Sequence, residues 1–365
     1  MQERELFVFC GQSNMMGACV YPPSEQVVFA RSFEYLHKPK RLGQKSGAFK
    51  NNAYPCGEFS YKDMDRAYAK GMAFDGKSVL TDYAENTYFC PSMSGLRSEQ
   101  EKTFFLCTHF SETTFQPAPT LAPYVTQQWE GLNRRCAYAH IAKGGVSINY
   151  YFNGEMIARL NEKIKDYNQK SGENLPLQEV GKNAAGAGEY FAQKVKDFFE
   201  DAAARFVGES LKTKCFFWLQ GEGDAWRPKA LYKLYLETLW ETLKTLGFTH
   251  FFCMRVDYWG DDRIVQIMKA QEEFCAETAD AYMLTRVCSY MPMPNQDLVK
   301  WYGEEDVTPF LECRDSYFGF GNHHINEKGF KTIANAAVNN MKKILLDHVS
   351  PQLEDEKCVM LKESD

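Results

Sequence analysis

The sequence contains no uninterrupted apolar stretch long enough to cross a membrane, no block of basic residues and no internal repeat. A membrane-spanning helix needs about 20 predominantly apolar residues, so we expect no membrane partner. The chain has 42 lysines and arginines against 48 aspartates and glutamates, a net charge of −6. This balance argues against nucleic acid as a partner. The amino-terminal residues also lack the pattern of a secretory signal peptide.

Regular cysteine spacing is also missing. The 12 cysteines show neither the close pairs of a zinc module nor the framework of a disulfide-rich domain. Several fall in apolar runs, where cysteine behaves as a small buried hydrophobe. Reduced thiols and a cytoplasmic location are therefore expected. Cys107 and His109 have no companions at metal-ligand spacing, so we predict no metal and no cofactor.

Apolar segments alternate with amphipathic segments along the 365 residues. This alternation predicts an α/β sandwich with a parallel five-stranded sheet. The predicted strands are residues 6–10, 135–142, 214–219, 251–256 and 281–287. The predicted helices lie near residues 59–72, 79–88, 123–134, 151–167, 187–207, 228–246, 262–278 and 327–346. Because no second core interrupts the pattern, we predict one domain over residues 1–350 and a charged tail over 351–365.

The segment GQSNMMG at positions 11–17 follows the first predicted strand and places Ser13 on a turn. Ligands of parallel α/β sheets bind at the carboxyl ends of the strands, so a hydroxyl group here is well placed for nucleophilic attack. Position 15 is methionine, so the segment is not the Gly-x-Ser-x-Gly elbow of the α/β-hydrolases. A strand followed by a Gly–Ser turn also occurs in structural loops, and Ser13 alone is a weak signal.

Three later segments supply the remaining groups of an acyl-transfer site. Two of them, Gly144–Gly145 and Gln220–Asp224, follow predicted strands, and the third, Asn322–His324, precedes the last predicted helix. Acyl transfer needs a nucleophile, a base, an orienting acid and donors for the oxyanion. Together with Ser13, these segments contain all four.

Four motifs occur in a recognisable order: GQSNMMG at 11–17, AKGGVSI at 142–148, WLQGEGD at 218–224 and HINEKG at 324–329. On these motifs the sequence resembles the SGNH-hydrolase superfamily. Within it, the sequence is similar to the sialate O-acetylesterase-like and acetylxylan esterase branch of carbohydrate esterases. The resemblance spans nearly the whole chain. It implies a flavodoxin-like fold, a three-layer α/β/α sandwich, and metal-independent hydrolysis of esters by a serine nucleophile.

The resemblance also implies roles for individual residues. Ser13 matches the nucleophile, and its own backbone N–H is expected to help hold the oxyanion. Gly145, or the glycine before it, matches a second backbone donor, and Gln220 matches a side-chain donor. His324 matches the general base. The adjacent His323 is the alternative base, but the register of the motif favours His324.

The sequence departs from the superfamily at one position. An aspartate usually stands three residues before the catalytic histidine, and here that residue is Gly321. Glu222 is the predicted orienting acid, because this branch carries a carboxylate in its QGE motif. Asp224 and Asp315 are alternatives, and a Ser–His dyad without a carboxylate also remains open.

These residues predict an esterase that removes O-acetyl groups from an acetylated carbohydrate. An O-acetyltransferase using the same site and a catalytically silent sugar-binding protein are the alternatives. Aromatic residues make up 15% of the chain. Those that flank the motif turns, Trp129, Tyr150, Tyr151 and Trp226, either pack in the core or bind sugar. The sequence leaves open which sugar is bound, which hydroxyl is acetylated and the oligomeric state.

Overall fold

The computed structural model describes residues 2–16, 27–35, 104–105, 107–108, 120–142, 145–180, 187–258, 262–291, 324–353 and 356. These residues fall into two compact units, each assembled from separate chain segments. The first unit lies within residues 1–144, 198–212 and 315–339, and the second within 145–197, 213–314 and 340–365. One domain over residues 1–350 stays a prediction. The helices predicted near 59–72 and 79–88 lie outside the described residues.

Nine strands and eight α-helices are used below. The strands are β1 (Glu5–Gly11), β2 (Val27–Val28), β3 (Phe33–Tyr35), β4 (Phe104–Phe105), β5 (Cys107–Thr108), β6 (Cys136–Ala142), β7 (Lys214–Leu219), β8 (His250–Met254) and β9 (Ala281–Thr285). The helices are α1 (Ser13–Met16), α2 (Leu121–Gly131), α3 (Gly154–Ser171), α4 (Ala187–Arg205), α5 (Lys229–Thr245), α6 (Asp262–Glu277), α7 (Val287–Tyr290) and α8 (Glu327–Leu345).

In the first unit, β1 pairs in parallel with β6, and every residue of both strands is buried. Continuous apolar runs of this kind are typical of parallel strands covered on both faces. β3 adds to β6 in parallel, and β4 forms an antiparallel edge on β3. Helix α2 contributes Trp129, whose ring centroid lies 6.2 Å from that of Phe7. The indole Nε1 of Trp129 donates to Oε2 of Glu5 at 3.2 Å, so this tryptophan belongs to the core.

In the second unit, β7, β8 and β9 pair in parallel. One face of this sheet is covered by aromatic rings from two helices. The Phe251 ring of β8 lies 5.8 Å from Trp240 of α5 and 5.1 Å from Phe274 of α6, both edge-to-face. Such contacts stabilise a core beyond the area they bury. They fix the two helices against the sheet.

Of the predicted carboxy-terminal tail, the structure describes residues 351–353 and 356, and Glu356 packs into the second unit. Glu356 is buried, and its Oε2 accepts a hydrogen bond from the backbone N–H of Arg286 at 2.7 Å. Its Oε1 accepts from Nδ2 of Asn340 at 3.3 Å. Burial raises the pKa of Glu356 to about 7, although the Arg286 N–H opposes this rise.

All five predicted strands are present, and each pairs in parallel within its unit. The predicted α/β class with a parallel sheet flanked by helices is therefore confirmed. The short strands β2–β5 were not predicted, because segments of two or three residues are too short to show periodicity. No helix within the described ranges is long and apolar enough to cross a membrane.

Candidate active site

Ser13 lies where the first strand turns into a helix. Strand β1 ends at Gly11, and α1 begins at Ser13 itself. The side chains on either side, Gln12 and Asn14, are buried, whereas Ser13 is half-buried. The turn therefore buries the side-chain amides of Gln12 and Asn14 and leaves Ser13 partly exposed. This is the position that the sequence predicts for a nucleophile.

A hydrogen bond joins the Ser13 turn to the segment that carries His324. The backbone N–H of Ile325 donates to Oδ1 of Asn14 at 3.2 Å. Asn14 follows Ser13 directly, and Ile325 follows His324 directly. Because Ile325 is fully buried, water cannot replace Asn14 as the acceptor, and an unpaired N–H here would be costly. The first unit thus holds the Ser13 and His324 segments side by side.

His324 stands just before the last helix. Oδ1 of Asn326 accepts from the Gly329 N–H at 3.0 Å, which is the geometry of an N-cap. Asn326 is therefore the N-cap of α8. The hydroxyl of Tyr124 donates to Oε1 of Glu327 at 3.0 Å and fastens the first turn of α8. The positive end of a helix dipole disfavours a charged imidazole. The role of His324 as general base stays a prediction.

His140 forms a hydrogen bond to the helix that begins at Ser13. The sequence analysis did not identify this residue. This residue lies on β6 beside Phe9 of β1 and is fully buried. Its Nε2 lies 2.7 Å from the carbonyl oxygen of Met15. Because a carbonyl oxygen only accepts, Nε2 carries the proton and donates it. The available signal was a polar ring in an otherwise apolar predicted strand.

In the second unit, the turn at Gly145 depends on glycine. Gly145 has φ +68°, a left-handed conformation that other residues adopt only at a cost, and it is exposed. The loop after β7 packs directly onto the residues that follow Gly145. A Cβ added at Gly223 would lie 2.6 Å from the carbonyl oxygen of Val146. The turn after β6 and the loop after β7 are therefore in backbone contact.

Gln220 is bonded to both of these loops. Its Nε2 donates to the Val146 carbonyl at 3.2 Å and to Oδ2 of Asp224 at 2.6 Å. Its Oε1 accepts from the hydroxyl of Tyr232 at 2.9 Å. Both amide hydrogens thus have acceptors. Donation to an oxyanion stays a prediction for Gln220, and it requires one of these two bonds to be exchanged.

Asp224, one of the alternative orienting acids, is fully buried and has partners on both oxygens. Oδ2 accepts from the Ile148 N–H at 2.7 Å as well as from Gln220, and Oδ1 is paired with Nε of Arg227. Burial raises the pKa of Asp224, while the Arg227 guanidinium acts in the opposite direction. These bonds tie the two loops together. Arg227, three residues on from Asp224, was not singled out from the sequence.

Glu222 begins the short 3₁₀ turn Glu222–Asp224, and its side chain is 4% exposed. A Cβ added at Gly221, the residue before Glu222, would lie 2.7 Å from Cγ2 of Ile267 and 3.1 Å from Cβ of Val256. The chain entering this turn therefore packs against α6 and the residues that follow β8. Its role as orienting acid stays a prediction.

Several predicted site residues fall outside the described part of the chain: Gly144, Asp315, Gly321 and His323. Ser13 and His324 belong to the first unit, and the other described site residues, Gly145, Gln220 and Glu222, to the second. Within the described ranges, no three histidine, cysteine, aspartate or glutamate side chains cluster as metal ligands. Metal independence stays a prediction.

The aromatic residues near the motifs divide into two groups. Trp129 and Tyr151 are buried, and so is Trp218. Tyr150 is half-buried and packs edge-to-face on Tyr151. Trp226 differs from all of them, because 62% of its surface is exposed.

No family model and no curated protein matches this chain. Similar solved structures include XAC1771, a carbohydrate acetylesterase from Xanthomonas citri, at 9% identity and a TM-score of 0.41, covering 93% of this chain and 56% of that chain. A protein from Arabidopsis thaliana is 12% identical with a TM-score of 0.37, and the match covers 93% of this chain and 99% of that chain. NanS is 10% identical with a TM-score of 0.40, covering 95% of this chain and 98% of that chain. This chain thus spans little more than half the length of XAC1771. At these scores the similarities carry no argument about this chain.

Proposed function

We propose that this protein is a serine carbohydrate esterase that removes O-acetyl groups from a sugar. The observation that carries the proposal is the hydrogen bond from the Ile325 N–H to Oδ1 of Asn14, 3.2 Å long. It joins the residue after the predicted nucleophile to the residue after the predicted base, although the two lie 311 positions apart. Nucleophile and base must be within hydrogen-bond reach for serine catalysis.

The proposed reaction has two steps. Ser13 Oγ attacks the acetyl carbonyl while His324 accepts the hydroxyl proton. The tetrahedral intermediate then collapses, and the sugar oxygen leaves with the proton from His324. In the second step, His324 takes a proton from water, the resulting hydroxide attacks the acetyl-Ser13 ester, and acetate departs as Ser13 Oγ is reprotonated. This is the general base and general acid cycle of serine hydrolases.

The other roles are part of the proposal and are supported by the motifs. The backbone N–H groups of Ser13 and Gly145, with the amide of Gln220, would hold the oxyanion. Preorganised donors of this kind supply a large share of the rate enhancement of hydrolases. Glu222 would orient His324 and stabilise the imidazolium formed during attack.

Acetate release from a panel of O-acetylated sugars tests this proposal. The panel should contain acetylated xylo-oligosaccharides and O-acetylated sialic acids, with p-nitrophenyl acetate as a reporter of the chemical step. Ser13→Ala is expected to reduce turnover by orders of magnitude while the fold is kept. Ser171→Ala is the matched control, because Ser171 is exposed at the end of α3. A folded Ser13→Ala protein with near-normal turnover would exclude the serine mechanism.

A further inference from the structure

Trp226 is the outer layer of a stack of three side chains. The guanidinium of Arg227 lies between two rings, with its Cζ 4.4 Å from the Trp226 ring centroid and 4.6 Å from that of Tyr235. Arg227 is 3% exposed, whereas Trp226 is 62% exposed. The guanidinium covers the inner face of the indole. The exposed area of Trp226 therefore belongs to its outer face and edges.

The indole is fixed in this position. Its Nε1 donates to the carbonyl oxygen of Gly223 at 3.1 Å. The arginine beneath it is held by the ion pair with Asp224 and by a bond from Nη1 to Oε1 of Gln178 at 2.9 Å. A side chain that is already ordered loses little conformational entropy when it binds a ligand. Trp226 thus presents a flat, rigid and apolar face.

The location of this face connects it to the candidate site. Trp226 follows the 3₁₀ turn Glu222–Asp224 at the carboxyl end of β7, the end at which parallel sheets bind their ligands. Its anchor, Gly223, packs against the backbone of Val146, one residue after Gly145. The exposed indole is therefore continuous with the two loops that carry the predicted oxyanion donors of the second unit.

We propose that the outer face of Trp226 is a stacking platform for a neutral pyranose ring of the carbohydrate substrate. This inference rests on the proposed function and deepens it, because it names the part of the substrate that the enzyme recognises. A pyranose with equatorial hydroxyls presents a patch of C–H groups on each ring face. The negative face of an indole attracts such groups, and the contact buries apolar area on both sides. Xylopyranose and glucopyranose have this form.

Binding of a deacetylated sugar tests the platform independently of catalysis. Xylotriose is titrated into the protein, with tryptophan fluorescence and calorimetry as readouts, and xylitol serves as the control because it has hydroxyls but no ring face. Trp226 is the exposed one of the four tryptophans that the structure describes. We expect saturable binding of xylotriose, about tenfold weaker in Trp226→Leu and largely retained in Trp226→Phe. Val207→Ala, which removes another exposed apolar side chain, should bind like the parent protein.

Kinetics separate recognition from a purely structural role. In Trp226→Leu, the leucine side chain still covers Arg227 but has no flat face. Trp226→Leu should raise KM for acetylated xylotriose about tenfold more than KM for p-nitrophenyl acetate, which has no sugar. An equal rise in KM for both substrates would overturn the platform, and so would xylotriose binding that is unchanged in Trp226→Leu. Binding of N-acetylneuraminic acid without binding of xylotriose would overturn the neutral pyranose. If xylotriose binds through Trp226 but no acetyl ester is cleaved, the platform stands and the esterase proposal fails.

Discussion

Replacing Asn14 with alanine removes the acceptor of the Ile325 N–H while Ser13 and His324 remain in the chain. Ile325 is fully buried and Asn14 is 1% exposed, so water cannot restore the bond. A buried N–H left without an acceptor costs about 1–3 kcal/mol. We expect Asn14→Ala to lower the free energy of unfolding by roughly this amount. The unpaired N–H belongs to Ile325, the residue that follows His324.

The effect on catalysis should be larger than the loss of stability suggests. A displacement of about 1 Å between reacting groups reduces the rate by about 10²-fold. We therefore expect kcat for p-nitrophenyl acetate to fall by about 10² in Asn14→Ala, with little change in KM. Phosphorylation of Ser13 by diisopropyl fluorophosphate, followed by mass spectrometry, should slow in parallel because it uses the same base.

Asn340 provides a matched control for this substitution. It is also a buried asparagine, and its Nδ2 donates to the Leu284 carbonyl at 2.9 Å while its Oδ1 accepts from the Gln352 N–H at 3.0 Å. Asn340→Ala should cost comparable stability in urea unfolding and leave kcat within about twofold, since it touches neither predicted catalytic segment. If Asn14→Ala loses stability but keeps kcat as Asn340→Ala does, the bond supports the fold alone. The proximity of Ser13 and His324 then carries no catalytic meaning.

Three further substitutions give separate tests. Glu222→Gln should lower kcat by about 10²–10⁴, and the double variant with His324→Ala should be little worse than the worse single variant, as measured by kcat on p-nitrophenyl acetate. Asp224→Asn leaves the buried Arg227 charge unpaired and should cost about 3–5 kcal/mol in urea unfolding. Glu356→Gln tests pH dependence. Burial raises the folded-state pKa of Glu356 to about 7 from 4.5, so the folded protein retains a proton that the unfolded chain releases. Stability from this group is present below pH 4.5 and is lost as pH rises to about 7. The glutamine variant should lack this decline.

Each of these tests has a contradicting outcome. Near-parental kcat in Glu222→Gln would move the orienting role to Asp315 or leave a Ser–His dyad. An Asp224→Asn protein of unchanged stability would show that the Arg227 charge is solvated elsewhere. If the stability difference between the parent protein and Glu356→Gln is constant from pH 4 to pH 8, the pKa of Glu356 is the same in the folded and unfolded states, and burial does not raise it.

The main strands and helices were predictable because their signal is local. Strands β1, β6 and β7 have six or seven residues, most of them apolar, and the amphipathic helices repeat within a few turns. The N-cap at Asn326 was equally local, since cap and acceptor lie three residues apart. Pairings such as β3 with β4 depend instead on contacts between distant segments, which no periodicity records.

The candidate site was predictable only in part. Motifs identify Ser13 and His324 as residue types suited to catalysis. They do not show that Asn14 joins them, because its partner Ile325 is 311 residues away. His140 was hidden for the same reason, since its acceptor, the Met15 carbonyl, is 125 residues distant. Sequence patterns report which groups are present, whereas bonds across long separations decide which of them act together.

The loop after β7 shows that the polar residues of one motif can have different roles in the structure. Gln220 and Asp224 resemble catalytic groups in the sequence, yet their bonds run to the backbone at Val146 and Ile148 and hold two loops together. Gly223 permits that approach, since a Cβ there would collide with the Val146 carbonyl. A loop braced in this way can hold other side chains in fixed positions. In it, Gln220, the buried Glu222 and the exposed Trp226 carry the roles that we propose for oxyanion binding, orientation of the base and sugar recognition.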